Sequence, residues 1–470
     1  MTRRDEYDLL IIGAGSAGLT AALFARSVGA RVALIERGRV GGDCTWTGCI
    51  PSKTLLHVAA VARQTRAAGE LGIATGPVTI DFARVMEHVR STVERVYAFE
   101  TPERLAAGGI PVLRGTARFR DAATLEVDGR ALRARRYLIA SGAEPVLPPI
   151  PGLADTPYLT TQTIFDLRAR PERLLVLGGG ATGVELAQAF QRLGVAVTII
   201  ERDTRLVPQA DPAASAALAK ALRADGVELR LGATLERVEP LAGGVVAQVA
   251  GQSLSASALL VATGRQPALD GLDLDRAGVE TRDSALVLDR QLRTTHPHIF
   301  AAGDVTGGPQ FTSYAGWQGF VAARNALLPR ASTGVRGHVP WVVFTDPELG
   351  QVGLTEAEAR AGEGDVSVHR WPLERVDRAQ TVGDRAGFIK LIARPGGELL
   401  GASIVAGEAG ELVNHLALAL ERRLSLAELA RTLHAYPTYG ISVQQLSSQA
   451  TLAHMTRGWR GRLLRVLARR

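Results

Sequence analysis

Two cysteines and three lysines are all that the 470-residue sequence holds of those types, and aromatic residues make up only 5%. No apolar run approaches the ~20 residues that a membrane-spanning helix needs. Each scarcity excludes something. Exported proteins collect several disulfides, whereas an isolated close pair in a reducing compartment is more often catalytic or redox-sensing, so the chain reads as soluble, unexported and cytoplasmic. A zinc site takes about four ligands, and no second cysteine pair or zinc-spaced histidine pair accompanies the first. The net charge of +7 would suit a nucleic-acid or membrane partner. Its distribution points elsewhere. Six arginines crowd the last fourteen residues, 457–470, leaving a body near neutral, which argues against nucleic acid.

Length and a hydrophobic fraction of 46% are enough for several cores. The chain contains an internal repeat. "LLIIGAGSAGLTAALFARSVGARVALIER" runs from an apolar strand through Gly13, Gly15 and Gly18 into an Ala-rich helix and ends on a second strand at Glu36. "LLVLGGGATGVELAQAFQRLGVAVTIIER" does the same with Gly178, Gly180, Gly183 and Glu201. In both copies the acid follows the first glycine by 23 positions. Glycine admits a pyrophosphate close to the backbone at a helix N-terminus, where free N–H groups and the helix dipole favour anions. Glu36 and Glu201 are then expected to accept hydrogen bonds from ribose hydroxyls.

Each unit has a downstream companion, a strand emptying into a Ser/Thr-Gly turn: "RYLIASGAEP" with Ser141 and Gly142, and "ALLVATGRQP" with Gly264. The proline-rich "EPVLPPIPG", residues 144–152, suits a stiff crossing between domains. A further strand in "THPHIFAAGD" leads through Gly303 and Asp304 toward a small-residue helix. From about residue 337 strand-like and amphipathic helical segments alternate, with capping boxes at Thr355/Glu358 and Ser425/Glu428. The helical "GELVNHLALALERRL" carries apolar residues at 412, 413, 416, 420 and 424, suited equally to an internal core or a subunit interface.

The two cysteines lie in "GGDCTWTGCIPSK", Cys44 and Cys49 with four residues between them. Pro51 suits a first helical turn, which places Cys49 at a helix N-terminus where the dipole favours a thiolate. Lys53 adds positive charge to that turn. Spacing by itself leaves open an active redox pair or two unlinked or structural thiols.

Taken together, the two glycine motifs with their acids, the cysteine segment and "IFAAGD" resemble, over essentially the whole chain, the flavin-dependent pyridine nucleotide–disulfide oxidoreductases, the family of glutathione reductase, dihydrolipoamide dehydrogenase and mercuric reductase. The resemblance implies an α/β fold with two Rossmann-like domains and an α+β dimerisation domain. It places the FAD-binding domain at 1–150 and 270–336, the NAD(P)-binding domain at 151–269, the interface domain at 337–450 and a basic tail at 451–470. FAD is expected against Gly13, Gly15, Gly18, Glu36, Gly42, Ser141, Gly142, Gly303 and Asp304, and NAD(P)H against Gly178, Gly180, Gly183, Glu201 and Gly264. By the same resemblance Cys44 and Cys49 form the redox disulfide, Cys49 beside the flavin and Cys44 toward a small-molecule acceptor, while Lys53 pairs with Glu185. A homodimer is implied.

One segment departs from the pattern. Disulfide-reducing relatives carry a C-terminal His-Pro-Thr stretch followed by a glutamate, which serves the thiols as acid and base; here "LHAYPTYGI" puts Tyr436 and Ile441 in those places. A phenol near pKa ~10 does not exchange protons at neutral pH as imidazole near ~6.5 does, and His434 would serve only if the loop were re-aimed. Tyrosine here resembles mercuric reductase, although the C-terminal cysteine pair of that enzyme is absent. The expected activity is an NAD(P)H-oxidising flavoenzyme similar to mercuric reductase, its acceptor left open among Hg(II), another metal complex, a quinone or another small oxidant; dihydrolipoamide dehydrogenase and a non-catalytic flavin redox sensor or membrane-associated interaction protein are the alternatives. Glu201 favours NADH by repelling a 2′-phosphate, whereas Arg202 and Arg205 would welcome one. The tail 457–470 has the pattern of a helix in weak, peripheral contact with an anionic membrane, or of a solvated end.

Overall fold

The computed structural model describes residues 7–384, 386–456, 462, 464 and 466–468. Most of the arginine-rich tail, with its expected membrane contact, lies outside the described residues. The chain forms two compact units. One comprises the chain up to Glu172 with Arg237–Val246 and Ser255–Arg336; the other comprises Arg173–Glu236, Ala247–Leu254 and the chain from Gly337 onward.

In the first unit, Leu9–Ile12 is the centre of a five-stranded sheet. It pairs in parallel with Val32–Glu36 on one side and Tyr137–Ile139 on the other; Val112–Arg114 and Ile299–Ala301 extend the two edges, also in parallel. Residues of the three central strands are almost all buried, as a sheet covered on both faces requires. Helices Ser16–Ser27 and Thr312–Leu327 share the core on one face. They approach closely because position 319 is glycine: a Cβ there would lie 2.1 Å from the Ala17 carbonyl oxygen.

The second unit contains the other βαβ copy. Arg173–Leu177 pairs in parallel with Ala196–Glu201, which pairs with Glu228–Leu231, and the crossover helix is Ala181–Arg192. This unit also holds an antiparallel five-stranded sheet in the order 341–343, 348–353, 399–406, 388–393, 367–372. Both capping boxes form. The apolar stripe of Ala409–Glu421 faces inward, with Leu412, Val413, Leu416 and Leu420 buried in that unit's core. Of the two uses open to this stripe, the core is the one realised, and Leu418 on the other face is 59% exposed.

Two polar connections tie the parts of the second unit together. Glu185, Gln188 and Arg192 lie on one stripe of helix Ala181–Arg192. Glu185 accepts the Phe344 N–H at 2.8 Å, Gln188 accepts the Asp346 N–H at 2.7 Å, and Arg192 reaches the Asp346 carboxylate at 2.9 Å. The second connection is buried. Lys390 Nζ donates to both oxygens of Asp211, at 3.0 and 2.9 Å, and to Glu356 at 2.9 Å. Asp211 also caps helix Pro212–Ala224 through the Ala213 N–H. Burial disfavours the Lys390 charge, but Asp211 and Glu356 together hold its pKa above the usual lysine value.

Replacing Lys390 by methionine keeps the aliphatic stem but leaves Asp211, which is fully buried, without its cation. Loss of one partner from a buried ion pair costs about 3–5 kcal/mol, so Lys390→Met should lower denaturant stability by that order at pH 7. The raised lysine pKa makes its contribution complete below the ordinary lysine range and lost only as pH rises through the folded-state value. The Glu356 pKa is lowered, chiefly by Lys390, so its part is lost as pH falls below the ordinary glutamate range. A loss under ~1 kcal/mol at pH 7 would contradict this reading.

Candidate active site

The cysteine segment folds as two short steps. Helix Gly42–Trp46 carries Cys44, the chain turns at Thr47 and Gly48, and helix Cys49–Ala67 begins. Cys49 is thus the first residue of its helix, with Gly48 as N-cap and Pro51 in the first turn, as the sequence predicts. Gly48 is needed for the turn: a Cβ there would lie 2.8 Å from the Asp43 carbonyl oxygen and 3.2 Å from the Cys44 Cα. Both cysteines are half-buried thiols. The Cys49 Sγ lies 3.3 Å from the Thr312 Oγ1, at the start of the small-residue helix. The Cys44 thiol is pushed far above the usual cysteine range, first by its hydrogen bond with Cys49 and then by burial. The two sulfurs are therefore neighbours, with Cys44 holding the proton. Lys53 is half-buried one turn further along the same helix.

The glycine turns of the two βαβ copies match in detail. Gly13 and Gly178 have φ of 104° and 111°. A Cβ at Gly18 would lie 2.0 Å from the Gly13 carbonyl oxygen, and one at Gly183 the same distance from that of Gly178. Each following helix has a glycine N-cap, Gly15 or Gly180, with no side-chain hydrogen bond to its first N–H groups, so those donors face outward. The acids do something the sequence did not predict. Glu36 accepts the Ala14 N–H at 2.8 Å and the Gly38 N–H at 2.7 Å; Glu201 accepts the Gly179 N–H at 2.5 Å and the Asp203 N–H at 2.8 Å. Each carboxylate clasps its own glycine turn and keeps lone pairs for a further donor.

The remaining first-unit residues gather around this frame. Gly42, at φ 59°, lies against the Cα of Gly15. Glu36 and Ser141 line a cavity with Ile12, Gly13, Ile35 and Asp270, and Ser141 donates to the Ala268 carbonyl at 2.7 Å. Gly142 and Gly264 have φ of 76° and 121° and open space where a Cβ would stand. The Gly303 N–H donates to Gln318 at 3.0 Å. The Asp304 carboxyl is pushed up by burial, opposed by Arg265 and reinforced by Asp43. Arg265 bonds the Asp43 carboxylate and the Ala143 carbonyl. Asp43, Arg265, Thr312 and Gln318 were not among the sequence candidates; Arg265 had a signal, as it directly follows Gly264.

Two further predicted residues belong to the second unit. Glu185 is 4% exposed and bonded to the Phe344 amide as described. Tyr436 is 65% exposed and donates its hydroxyl to Asp377 at 3.0 Å, an acceptor that holds the phenol above its usual pKa. His434 is engaged by its own loop, with Nδ1 2.8 Å from the Thr432 carbonyl.

The pyridine nucleotide-disulphide oxidoreductase family matches residues 7–319, and its dimerisation domain matches residues 339–446. The chain belongs to that family. Its similar proteins include the mercuric reductases of Lysinibacillus sphaericus, 37% identical over 93% of this chain and 81% of the relative, and of Shigella flexneri, 41% identical over 92% and 78%. The dihydrolipoyl dehydrogenase of Thermus scotoductus is 35% identical over 92% of this chain and 95% of its own. Among solved structures, the HOCl-induced flavoprotein disulfide reductase RclA from Escherichia coli superposes with a TM-score of 0.85 at 33% identity, and LpdA from Mycobacterium tuberculosis with 0.87 at 30%. Each covers 94% of this chain, and 99% of each solved chain is covered in return.

Membership makes the chain an FAD-dependent enzyme that uses a pyridine nucleotide, and the dimerisation domain supports a homodimer. No helix among the described residues is long and apolar enough to cross a membrane. The residues present fit FAD. Arg265 Nε is buried without a hydrogen-bond partner, Asp304 is disfavoured as a bare buried anion, and Gly142 leaves open space at the backbone.

The thiol arrangement makes a prediction. The hydrogen bond to Cys49 is the main reason that Cys44 stays protonated, so Cys49→Ala should lower the Cys44 pKa and raise its thiolate fraction at pH 8. Alkylation of Cys44 by iodoacetamide should then run several-fold faster than in the reduced wild type. An unchanged or slower rate would show that Cys49 does not hold the Cys44 proton.

Proposed function

We propose that the enzyme oxidises NADH and delivers electrons through Cys44 and Cys49 to a thiophilic metal ion, in preference to a dithiol or disulfide. The observation that carries this reading is the state of Tyr436. A dithiol or disulfide substrate needs a group that moves protons near neutral pH, and loss of such a group costs on the order of 10²–10⁴ in rate. Tyr436 is a phenol held protonated by Asp377, and Ile441 stands where an orienting acid would be. A soft cation needs thiolates as ligands and no proton delivered to it. Several relatives are mercuric reductases, and RclA has also been solved as a Cu(II) complex.

In this reading bound FAD supplies two-electron exchange between the nicotinamide and the sulfur pair. Gly13, Gly15 and Gly18 admit its pyrophosphate to the helix N-terminus, and Asp304 and Arg265 supply polar partners. Gly178, Gly180 and Gly183 do the same for the coenzyme. Glu201 favours NADH by disfavouring a 2′-phosphate, and Arg205 is already committed to the Pro208 carbonyl at 2.7 Å. Thr312 holds Cys49, while Cys44 releases its proton when the cation replaces it. One hydride equivalent matches the reduction of one divalent ion by two electrons or of two ions by one each.

The test is coenzyme oxidation with Hg(II), Cu(II), lipoamide, glutathione disulfide and quinones. NADH with a metal ion should give the fastest turnover, with lipoamide ~10²-fold or more below it. Tyr436→His should not restore lipoamide activity, because Ile441 cannot orient the imidazole. Lipoamide or quinone turnover exceeding that with metal, or metal turnover that survives Cys44→Ser/Cys49→Ser, would overturn the proposal.

A further inference from the structure

The second unit brings together two histidines that the thiol chemistry does not use. His415 lies on helix Ala409–Glu421, which is anchored in the core by Leu412, Val413 and Leu416. His434 follows helix Leu426–Arg431, whose start is fixed by the Ser425/Glu428 capping box. The ring centres are 5.0 Å apart with planes inclined by 46°, and both side chains are partly exposed.

The hydrogen bond at His434 settles its protonation pattern. A carbonyl oxygen accepts and cannot donate, so the 2.8 Å contact with Thr432 requires a proton on Nδ1. In the neutral ring Nε2 then carries the lone pair. This is how metal-binding histidines are oriented: one ring nitrogen donates to a fixed acceptor and the other is left to coordinate. The spacing also fits. A divalent cation about 2.0–2.1 Å from each ligating nitrogen sits roughly 3.2 Å from each ring centre, so for lone pairs that converge on one ion, centres 5.0 Å apart correspond to an N–metal–N angle of roughly 100°. That angle suits two adjacent positions of a tetrahedral or square-planar sphere.

We propose that His415 and His434 form a binding site for a divalent transition-metal cation, with His434 coordinating through Nε2 and water filling the open positions. Among the described residues no group of three or more His, Cys, Asp or Glu side chains is placed to hold a metal, so the protein supplies half of the sphere and the site exchanges its ion readily. Two imidazoles favour Cu(II) among the common divalent ions. Burial, with His434 beside it, lowers the His415 pKa, which helps keep that ring neutral.

The other close histidine pair shows what this one has in its favour. His296 and His298 have ring centres 5.5 Å apart, a similar spacing. There, however, His296 Nδ1 accepts the His298 N–H at 3.3 Å, and the Arg136 guanidinium lies on His298 Nδ1. A cation facing that pair would meet an arginine.

The site is independent of the thiol reading, and the experiment separates the two. Cu(II) is added to the FAD-loaded Cys44→Ser/Cys49→Ser protein, and binding is followed by calorimetry and electron paramagnetic resonance. About one Cu(II) should bind per chain with nitrogen coupling from two imidazoles. His415→Ala and His434→Ala should each weaken binding at least ~10-fold, His434→Gln should do the same while keeping a polar surface, and His298→Ala should leave binding unchanged. Binding unaffected by all three substitutions at 415 and 434, or lost in His298→Ala, would overturn the proposal.

Discussion

Two sulfurs separated by four residues touch only if the chain between them reverses within a single turn, and here the reversal depends on the absence of a side chain at position 48. A Cβ on Gly48 would press on the backbone of Asp43 and Cys44, the residues that it must lie against. Much of the site's design follows from that contact. It sets Cys49 at the head of a long helix, where the N–H groups and dipole favour a thiolate. It brings Cys44 alongside, so that one thiol keeps its proton by donating to the other. Thr312 approaches Cys49 from the helix that also packs on Ala17.

The two βαβ copies apply one physical solution twice. A strand delivers the chain to a glycine with positive φ, a second glycine caps the helix without a side chain, and a third lets the helix lie on the first turn. The acid at the end of the next strand then bonds back to the turn. This clasp keeps outward-facing N–H groups in place before any dinucleotide arrives, a form of preorganisation that reduces the cost of binding. In the second unit the same helix extends the principle through Glu185, Gln188 and Arg192, whose partners at Phe344 and Asp346 belong to the segment around the antiparallel sheet. The buried Lys390 adds a second link between that sheet and Asp211.

What the sequence reveals is what local chemistry decides. The strand–glycine–helix units, the helix beginning at Cys49, both capping boxes and the existence of an apolar stripe on Ala409–Glu421 all follow from residues within a few turns of each other, and all appear in the structure; that the stripe faces the core does not follow from them. The contacts that complete the site span long stretches of chain: Cys49 and Thr312 are 263 positions apart, and Asp43 and Arg265 are 222 apart. No periodicity or spacing marks such pairs. The glutamates show a subtler limit. The pattern identified Glu36 and Glu201 as the acids that matter, but a hydrogen bond from a neighbouring backbone N–H leaves no trace in residue type, so their clasp is visible only in three dimensions. Tyr436 lies between these cases: its identity marks a departure from the His-Pro-Thr stretch of disulfide-reducing relatives, while its bond to Asp377, which holds the phenol above its usual pKa, is visible only in three dimensions.

A Cys44–Cys49 pair that works in series with the flavin adds a second redox centre whose electrons can be counted. The decisive experiment is anaerobic titration of the oxidised, FAD-loaded enzyme with NADH, with free thiols counted at each addition. Uptake should reach about two NADH equivalents per chain, one of them matched by the appearance of two thiols, since a disulfide is a two-electron couple; Cys44→Ser/Cys49→Ser should stop at about one. Wild-type enzyme that stops at about one equivalent with no new thiols would contradict that series arrangement.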